Sequence, residues 1–159
     1  MGNARGLPPD WTKQVLGFWF AELSPRDRFS GKAEIDELIH ARFGAWRDVV
    51  HSHFTVNEAT SVTEALAAIV MLDQFSRNLF RGTAAAYGGD NVAVRIACWV
   101  TDNGFDNELP VVARQFVYMP FMHSEDRTLQ TRSVNLFSKL GQSDLVGFAA
   151  HHKRITSAS

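Results

Sequence analysis

ALAAIVMLDQFSRNLFR, residues 65–81, is the stretch that decides the fold of this chain. Its first part, residues 65–72, carries no polar side chain. At about 100° per residue, apolar side chains would cover nearly every face of a helix formed by this stretch. A helix of that kind is enclosed by other elements rather than lying on a surface. The stretch therefore predicts a buried central helix, and Ser61 with Glu64 would begin it as a capping box.

Polar side chains follow directly on this apolar run. Asp73, Arg77 and Arg81 are spaced one helical turn apart, so each would meet the next on a helix. Gln74 and Asn78 lie beside them in the sequence. The pattern predicts a carboxylate followed by two guanidinium groups at the end of a buried apolar helix.

Two interpretations of this pattern remain open. A buried carboxylate needs a partner, and Arg77 would supply one even if the pair had only a structural role. Alternatively, Asp73 orients Arg77, and Arg77 and Arg81 present two planar guanidinium groups to an anionic ligand such as a carboxylate or a phosphate. Gln74 and Asn78 would then line the rim of the same pocket.

The rest of the chain also favours helices. Beside the central helix, the spacing of apolar residues and the capping signals predict helices over about residues 11–23, 32–53, 91–103, 110–119, 124–140 and 144–152. No stretch shows convincing strand alternation, and there is no glycine-rich phosphate loop. We therefore expect an all-α fold of about six to seven helices around the buried one. Residues 1–150 would form a single domain, and residues 151–159 a polar tail.

Composition narrows the class of protein. The chain has 159 residues, of which 45% are hydrophobic, so it is not a disordered chain. Its net charge of −1 provides no basic field for nucleic acid, and the single cysteine, Cys98, excludes a disulfide framework within the chain. Residues 1–11 lack the apolar core of a signal peptide, and no apolar run approaches ~20 residues. We expect a cytoplasmic protein that binds neither nucleic acid nor membranes; nothing indicates a cofactor, and the oligomeric state stays open.

A second polar cluster follows an apolar segment near the end of the chain. It comprises His123, Ser124, Glu125 and Asp126, with Gln130 two turns after the histidine. Ser124 and the two acids suit the start of a helix, whereas His123 is equally suited to a structural hydrogen bond or to a ligand. Because histidine changes charge near neutral pH, His123 is the candidate general acid or base. No elbow motif makes Ser124 a nucleophile, and no ligand spacing singles out a metal site.

Three motifs resemble a known bacterial family. VLGFWF at residues 15–20, LDQFSRNLFRGT at residues 72–83 and YMPFMHSEDRTLQ at residues 118–130 are similar to the domain of unknown function number 924. The resemblance covers about residues 11–150. It implies an all-α fold similar to tetratricopeptide repeats, with antiparallel helix pairs, and it carries no established activity. Family members usually continue past the last helix into a segment that this sequence lacks, and if that segment forms a wall of the pocket, the site here would be open.

The family motifs fall on the polar residues already selected. Those positions are the candidate ligand-binding residues Asp73, Gln74, Arg77, Asn78, Arg81, His123, Ser124, Glu125 and Gln130. The simplest arrangement that uses them all brings the two clusters together around one pocket.

Three functions compete for this arrangement. The first is a pocket for a small anionic or polar ligand, with hydrolysis as the expected reaction class if the protein is an enzyme. The second is a tetratricopeptide-like interaction module that binds a peptide or a partner protein in a groove and has no catalytic activity. In the third, the polar network only fixes the register of the helices. A groove predicts that Trp19, Trp46 and Trp99 are exposed, whereas a pocket predicts buried polar groups that converge.

Overall fold

A computed structural model describes residues 6–53 and 61–140, and all regular structure in those ranges is helical. The helices in chain order are α1 (Trp11–Gly17) with a π-helical continuation (Phe18–Glu22), α2 (Pro25–Arg28), α3 (Ala33–His53), α4 (Val62–Ile69), a second π-helical segment (Val70–Phe75), α5 (Ser76–Leu79), α6 (Asp90–Asp102), α7 (Val111–His123) and α8 (Arg127–Leu140). Short 3₁₀ turns cover Ala84–Tyr87 and Phe105–Glu108. The predicted all-α fold is confirmed. The predicted helix at residues 144–152 and the predicted tail lie outside the described residues.

The stretch from Val62 to Leu79 is the central helix, built from α4, the second π-helical segment and α5. Every side chain from Ala65 to Ser76 is buried, and α1, α3, α6 and α7 pack around them. The hydroxyl of Ser61 accepts a hydrogen bond from the backbone N–H of Glu64 at 3.2 Å, as a helix cap does. The prediction of a buried central helix is therefore correct.

Two π-helical segments interrupt the α-helical geometry that the sequence predicts. In the first, the backbone N–H of Leu23 bonds to the carbonyl of Phe18, five residues earlier. In the second, the backbone N–H of Ser76 bonds in the same way to Met71. The segments meet in the core, where the rings of Phe18 and Trp19 lie 6.0 and 5.7 Å from that of Phe75. Single π turns of this kind occur often at functional sites.

Two local predictions need correction. The polar stretch after α1 contains the short helix α2, which begins with a capping box between Ser24 and Asp27. The helix predicted to end at about residue 119 continues through Pro120 to His123. Pro120, Phe121 and Met122 are all buried, and this burial outweighs the loss of one backbone hydrogen bond.

Helices α7 and α8 form an antiparallel pair. Near the start of α8, the amide of Gln130 donates to the carbonyl of Ser124, at the end of α7. Further along α8, the ring of Phe137 lies 5.8 Å from that of Tyr118, more than a turn earlier in α7. The two helices therefore run in opposite directions, and the turn between them places His123 beside the central helix.

Gly89 lets the start of α6 approach the central helix unusually closely. A Cβ atom at Gly89 would lie 2.7 Å from the carbonyl oxygen of Leu72. Because the obstructing atom belongs to the backbone of a buried helix, it cannot move aside cheaply. This approach places Asp90, the next residue, beside the polar part of the central helix.

None of the helices in the described ranges combines the length and apolarity needed to cross a bilayer.

Replacing Gly89 by Ala should destabilise the protein by about 1–3 kcal/mol, since α6 must shift to accommodate the methyl group. Urea unfolding monitored by circular dichroism measures the change. The matched control is Gly17→Ala, where a Cβ would have no neighbour within 4 Å and alanine should be neutral or stabilising. Equal stability of the Gly89→Ala protein and the parent would show that the close approach does not constrain α6.

Candidate functional site

The centre of the candidate site is the carboxylate of Asp73, which is fully buried in the second π-helical segment. Its Oδ1 lies 2.8 Å from Nδ1 of His123 and 3.2 Å from a terminal guanidinium nitrogen of Arg77. Its Oδ2 accepts a hydrogen bond from the side-chain amide of Gln74 at 2.8 Å. Three side chains thus compensate a charge that would otherwise be too costly to bury.

These contacts keep Asp73 ionised. Burial acts to raise the pKa of Asp73, but the charge and hydrogen bond of His123, the guanidinium of Arg77 and the amide of Gln74 together lower that pKa below its usual value. The ionised Asp73 carboxylate therefore accepts hydrogen bonds from Gln74, Arg77 and His123.

His123 is oriented by this carboxylate. Because ionised Asp73 can only accept, the neutral imidazole must carry its proton on Nδ1, which is the nitrogen in contact. The lone pair is then on Nε2, at the other side of the ring. The His123 side chain retains 19% of its surface exposed, so the site is not sealed from solvent.

Arg77 divides its guanidinium between two carboxylates. One terminal nitrogen contacts both Oδ1 and the backbone carbonyl oxygen of Asp73. The same nitrogen also lies 3.2 Å from Oδ1 of Asp90, and the other terminal nitrogen lies 3.2 Å from Oδ2 of Asp90. The face of the exposed Tyr87 ring lies 5.4 Å from the guanidinium carbon. Arg77 is thus already neutralised by Asp73 and Asp90.

Asp90 is a member of the cluster that the sequence analysis did not select. Burial and the neighbouring charge of Asp73 raise the pKa of Asp90, against the opposing effect of Arg77. Gly89 occupies the cap position of α6, and Asp90 is in the first turn of that helix. The signal that could have revealed it is the Gly88-Gly89 pair, since such a pair marks close approach of a backbone.

Arg81 and Asn78 are placed elsewhere. Both bind Asp36 of α3, with Arg81 Nε at 2.8 Å from Oδ2 and Asn78 Nδ2 at 2.8 Å from Oδ1. The reason is that the central helix ends at Leu79, and Phe80 already has a non-helical φ of −121°. Arg81 therefore does not continue the helical row that begins at Asp73. The structure brings Arg77 to the His123 side but separates Arg81 from it.

The remaining predicted residues surround the turn between α7 and α8. The Ser124 hydroxyl accepts from the backbone N–H of Asp126 at 3.1 Å, and the Asp126 carboxylate caps α8 by accepting from the N–H groups of Thr128 and Leu129. Asp126, rather than the predicted Ser124, is thus the cap. Glu125 is exposed, whereas Gln130 is buried and anchors the Ser124 carbonyl.

No metal centre emerges from the part of the chain that the structure describes. Within residues 6–53 and 61–140, no three histidine, cysteine, aspartate or glutamate side chains are arranged to hold a metal ion. Arg77 also stands between the two carboxylates of the cluster, where a cation would otherwise bind.

The family described as "Bacterial protein of unknown function (DUF924)" matches residues 15–158. The chain belongs to the DUF924 family. A solved structure of a protein of unknown function from Agrobacterium tumefaciens shares 30% sequence identity with this chain. The match covers 92% of this chain and 82% of the Agrobacterium chain, with a TM-score of 0.85. No curated protein is similar enough to the chain to count as a relative. The DUF924 assignment confirms the predicted family resemblance, and the shared fold agrees with the all-α fold predicted from the helical patterns.

The burial of three tryptophans distinguishes between two of the functions predicted for this DUF924 chain. Trp19 is fully buried, and Trp46 and Trp99 are partly buried against the core. They therefore do not form the exposed aromatic surface that a peptide-binding groove requires, whereas buried polar groups do converge at Asp73.

Replacing Asp73 by Asn should lower the free energy of unfolding by about 3–5 kcal/mol, because Arg77 and His123 lose a buried partner. Urea unfolding at pH 7 measures this loss. Asp36→Asn is the matched control: it also removes an aspartate–arginine pair, but Arg81 is half exposed, so the cost should stay under about 1 kcal/mol. Similar losses in the two variants would contradict the central role of Asp73.

The parent protein and the Asp73→Asn variant also test the pKa of Asp73. Since that pKa is lower in the folded protein than the ordinary value of 3.8, the stabilisation is complete above about pH 4 and is lost as the pH falls through the folded-state pKa. The stability difference between the parent and Asp73→Asn should therefore narrow below pH 4. A constant difference down to pH 2.5 would show that the carboxyl is not held ionised.

Proposed function

We propose that this DUF924 protein binds a small polar molecule at the cluster of Asp73, Arg77, Asp90 and His123 and hydrolyses it, with His123 as the general base. The observation that carries the proposal is the 2.8 Å contact between His123 Nδ1 and the fully buried Asp73 carboxylate. The reaction would take place in the cytoplasm, the location that the sequence predicts.

The contact supports a base because it prepares one ring nitrogen for proton transfer. A carboxylate that accepts from Nδ1–H fixes the tautomer, holds the ring in place and stabilises the imidazolium that forms when Nε2 takes a proton. At Nε2, His123 would take a proton from a water molecule whose oxygen attacks the carbonyl carbon of an ester. The imidazolium would then return that proton to the alcohol that leaves as the ester bond breaks. None of the described contacts offers a serine or cysteine nucleophile to His123, so we propose direct attack by water.

The charges of the cluster favour a neutral or cationic ligand over an anionic one. The Asp73 and Asp90 carboxylates both contact the Arg77 guanidinium. An anion would have to displace Asp90 from Arg77, whose two terminal nitrogens are both engaged. Of the two ligand classes predicted from the sequence, the polar one therefore fits the contacts better. The exposed Tyr87 ring beside Arg77 offers an aromatic surface for such a ligand.

The alternative function, an interaction module for peptides, receives less support. It depends on exposed aromatic side chains along a concave surface, and the tryptophans do not provide them. Phe29 and Tyr87 are the large aromatic side chains exposed in the described ranges. Tyr87 adjoins the polar cluster through Arg77, whereas no contact links Phe29 to it.

Binding is tested by a thermal-shift panel of small neutral, cationic and anionic compounds on the parent, Arg77→Met and Arg81→Met. A ligand present at about 100 times its Kd stabilises the folded protein by about 2.7 kcal/mol, which raises Tm by several degrees. We expect neutral or cationic compounds to act on the parent and on Arg81→Met, but not on Arg77→Met, because that variant loses the contacts that hold Asp73 and Asp90 in place. Hits that survive in Arg77→Met would place the binding site elsewhere.

Catalysis is tested with a panel of neutral and cationic chromogenic carboxylic esters. Loss of a general base lowers the rate about 10²- to 10⁴-fold, so His123→Ala should lose hydrolysis by that factor. His40→Ala is the control, because His40 is exposed on α3, and it should keep the parental rate. If His123→Ala hydrolyses the same ester as fast as the parent, His123 is not the base.

A further inference from the structure

Helix α8 buries two polar side chains on the face that packs against α7. Gln130 and Ser133 each expose only 1% of their surface. Oε1 of Gln130 and Oγ of Ser133 have no hydrogen-bond partner among the described residues. Buried polar atoms of this kind are rare in folded proteins, because the loss of their hydration is uncompensated.

The orientation of the Gln130 amide is determined by its neighbour. Its nitrogen donates to the carbonyl oxygen of Ser124. Turning the amide over would place Oε1 against that carbonyl, where two acceptors would repel each other. Oε1 is therefore an acceptor that still needs a donor, and exchanging the two amide atoms does not remove the need.

Gln130 and Ser133 are also close to each other and enclosed. Residues three apart on a helix are neighbours on the same face, with Cβ atoms about 5–6 Å apart. On one side of them Gln130 contacts Ser124, and on the other Phe137 contacts the ring of Tyr118. The two oxygens therefore lie in the seam between α7 and α8.

We infer that Gln130 Oε1 and Ser133 Oγ bind one internal water molecule between α7 and α8. A water molecule has two donors and suits two acceptors at that spacing, and internal waters typically satisfy buried polar groups in this way. It donates one hydrogen to Oε1, and it either donates to or accepts from the Ser133 hydroxyl. The water thereby holds the Gln130 amide in the orientation in which its nitrogen anchors the turn after His123. The inference does not depend on the proposed function, because the water site exists whether or not a substrate binds.

A crystal structure of the parent at high resolution gives the first test. We expect a solvent peak within hydrogen-bonding distance of both Gln130 Oε1 and Ser133 Oγ, roughly 2.6–3.2 Å. Absence of the peak, with both side chains ordered as described, would overturn the inference.

Water magnetic relaxation dispersion in solution gives the second test, because it counts waters that stay bound for longer than molecular tumbling. The double variant Gln130→Met/Ser133→Ala should show the signal of one long-lived water fewer than the parent. Ser133→Ala alone provides the comparison should the double variant fail to fold, and its signal should fall as well. Ser138→Ala, at an exposed position of the same helix, should match the parent. Equal signals in the parent and the Ser133→Ala protein would overturn the inference.

Discussion

The burial of one carboxylate determines how the elements around the polar site are arranged. Asp73 has no exposed surface, and its charge is tolerable only if donors reach it from several directions. Gln74 and Arg77 come from its own helix, while His123 comes from the end of α7. The turn between α7 and α8 places His123 against this carboxylate, and the close approach of α6 places Asp90 against Arg77 beside it.

Much of the fold could be predicted because the central helix is so apolar. An unbroken run of apolar residues has few alternatives to burial, and the four-residue spacing of Asp73 and Arg77 brings them together on any helix. The contact with His123 is different. Fifty residues separate it from Asp73, and no local pattern indicates which of six histidines meets the carboxylate. The sequence marks His123 only as a member of a polar cluster after an apolar segment, and its meeting with Asp73 was expected because one shared pocket is the simplest arrangement of the two clusters.

The parts that could not be predicted share a physical cause. A π turn shifts the phase of the residues that follow it, and a shift is visible in a sequence only when it exposes an apolar side chain or buries a polar one. From Ala65 to Ser76 every face is buried, so the shift leaves no signal. The helix also ends at Leu79, whereas the one-turn spacing of Asp73, Arg77 and Arg81 predicts that it continues to Arg81. Asp90 was overlooked because its approach depends on the missing side chain of Gly89, whose effect appears only in three dimensions.

The π-helical segment Val70–Phe75 has an evolutionary consequence. Such a turn holds one residue more than an α-helical turn, so the loss of a single codon within it would restore regular geometry without breaking the helix. The backbone N–H of Ser76 would then bond to the Met71 carbonyl over four residues instead of five, so Ser76 and Arg77 would keep their places. Homologues shortened by one residue there would keep the fold and the position of Arg77, but the segment that carries Asp73 would wind differently. The length of this segment is therefore a marker for family members that retain the geometry of the buried carboxylate.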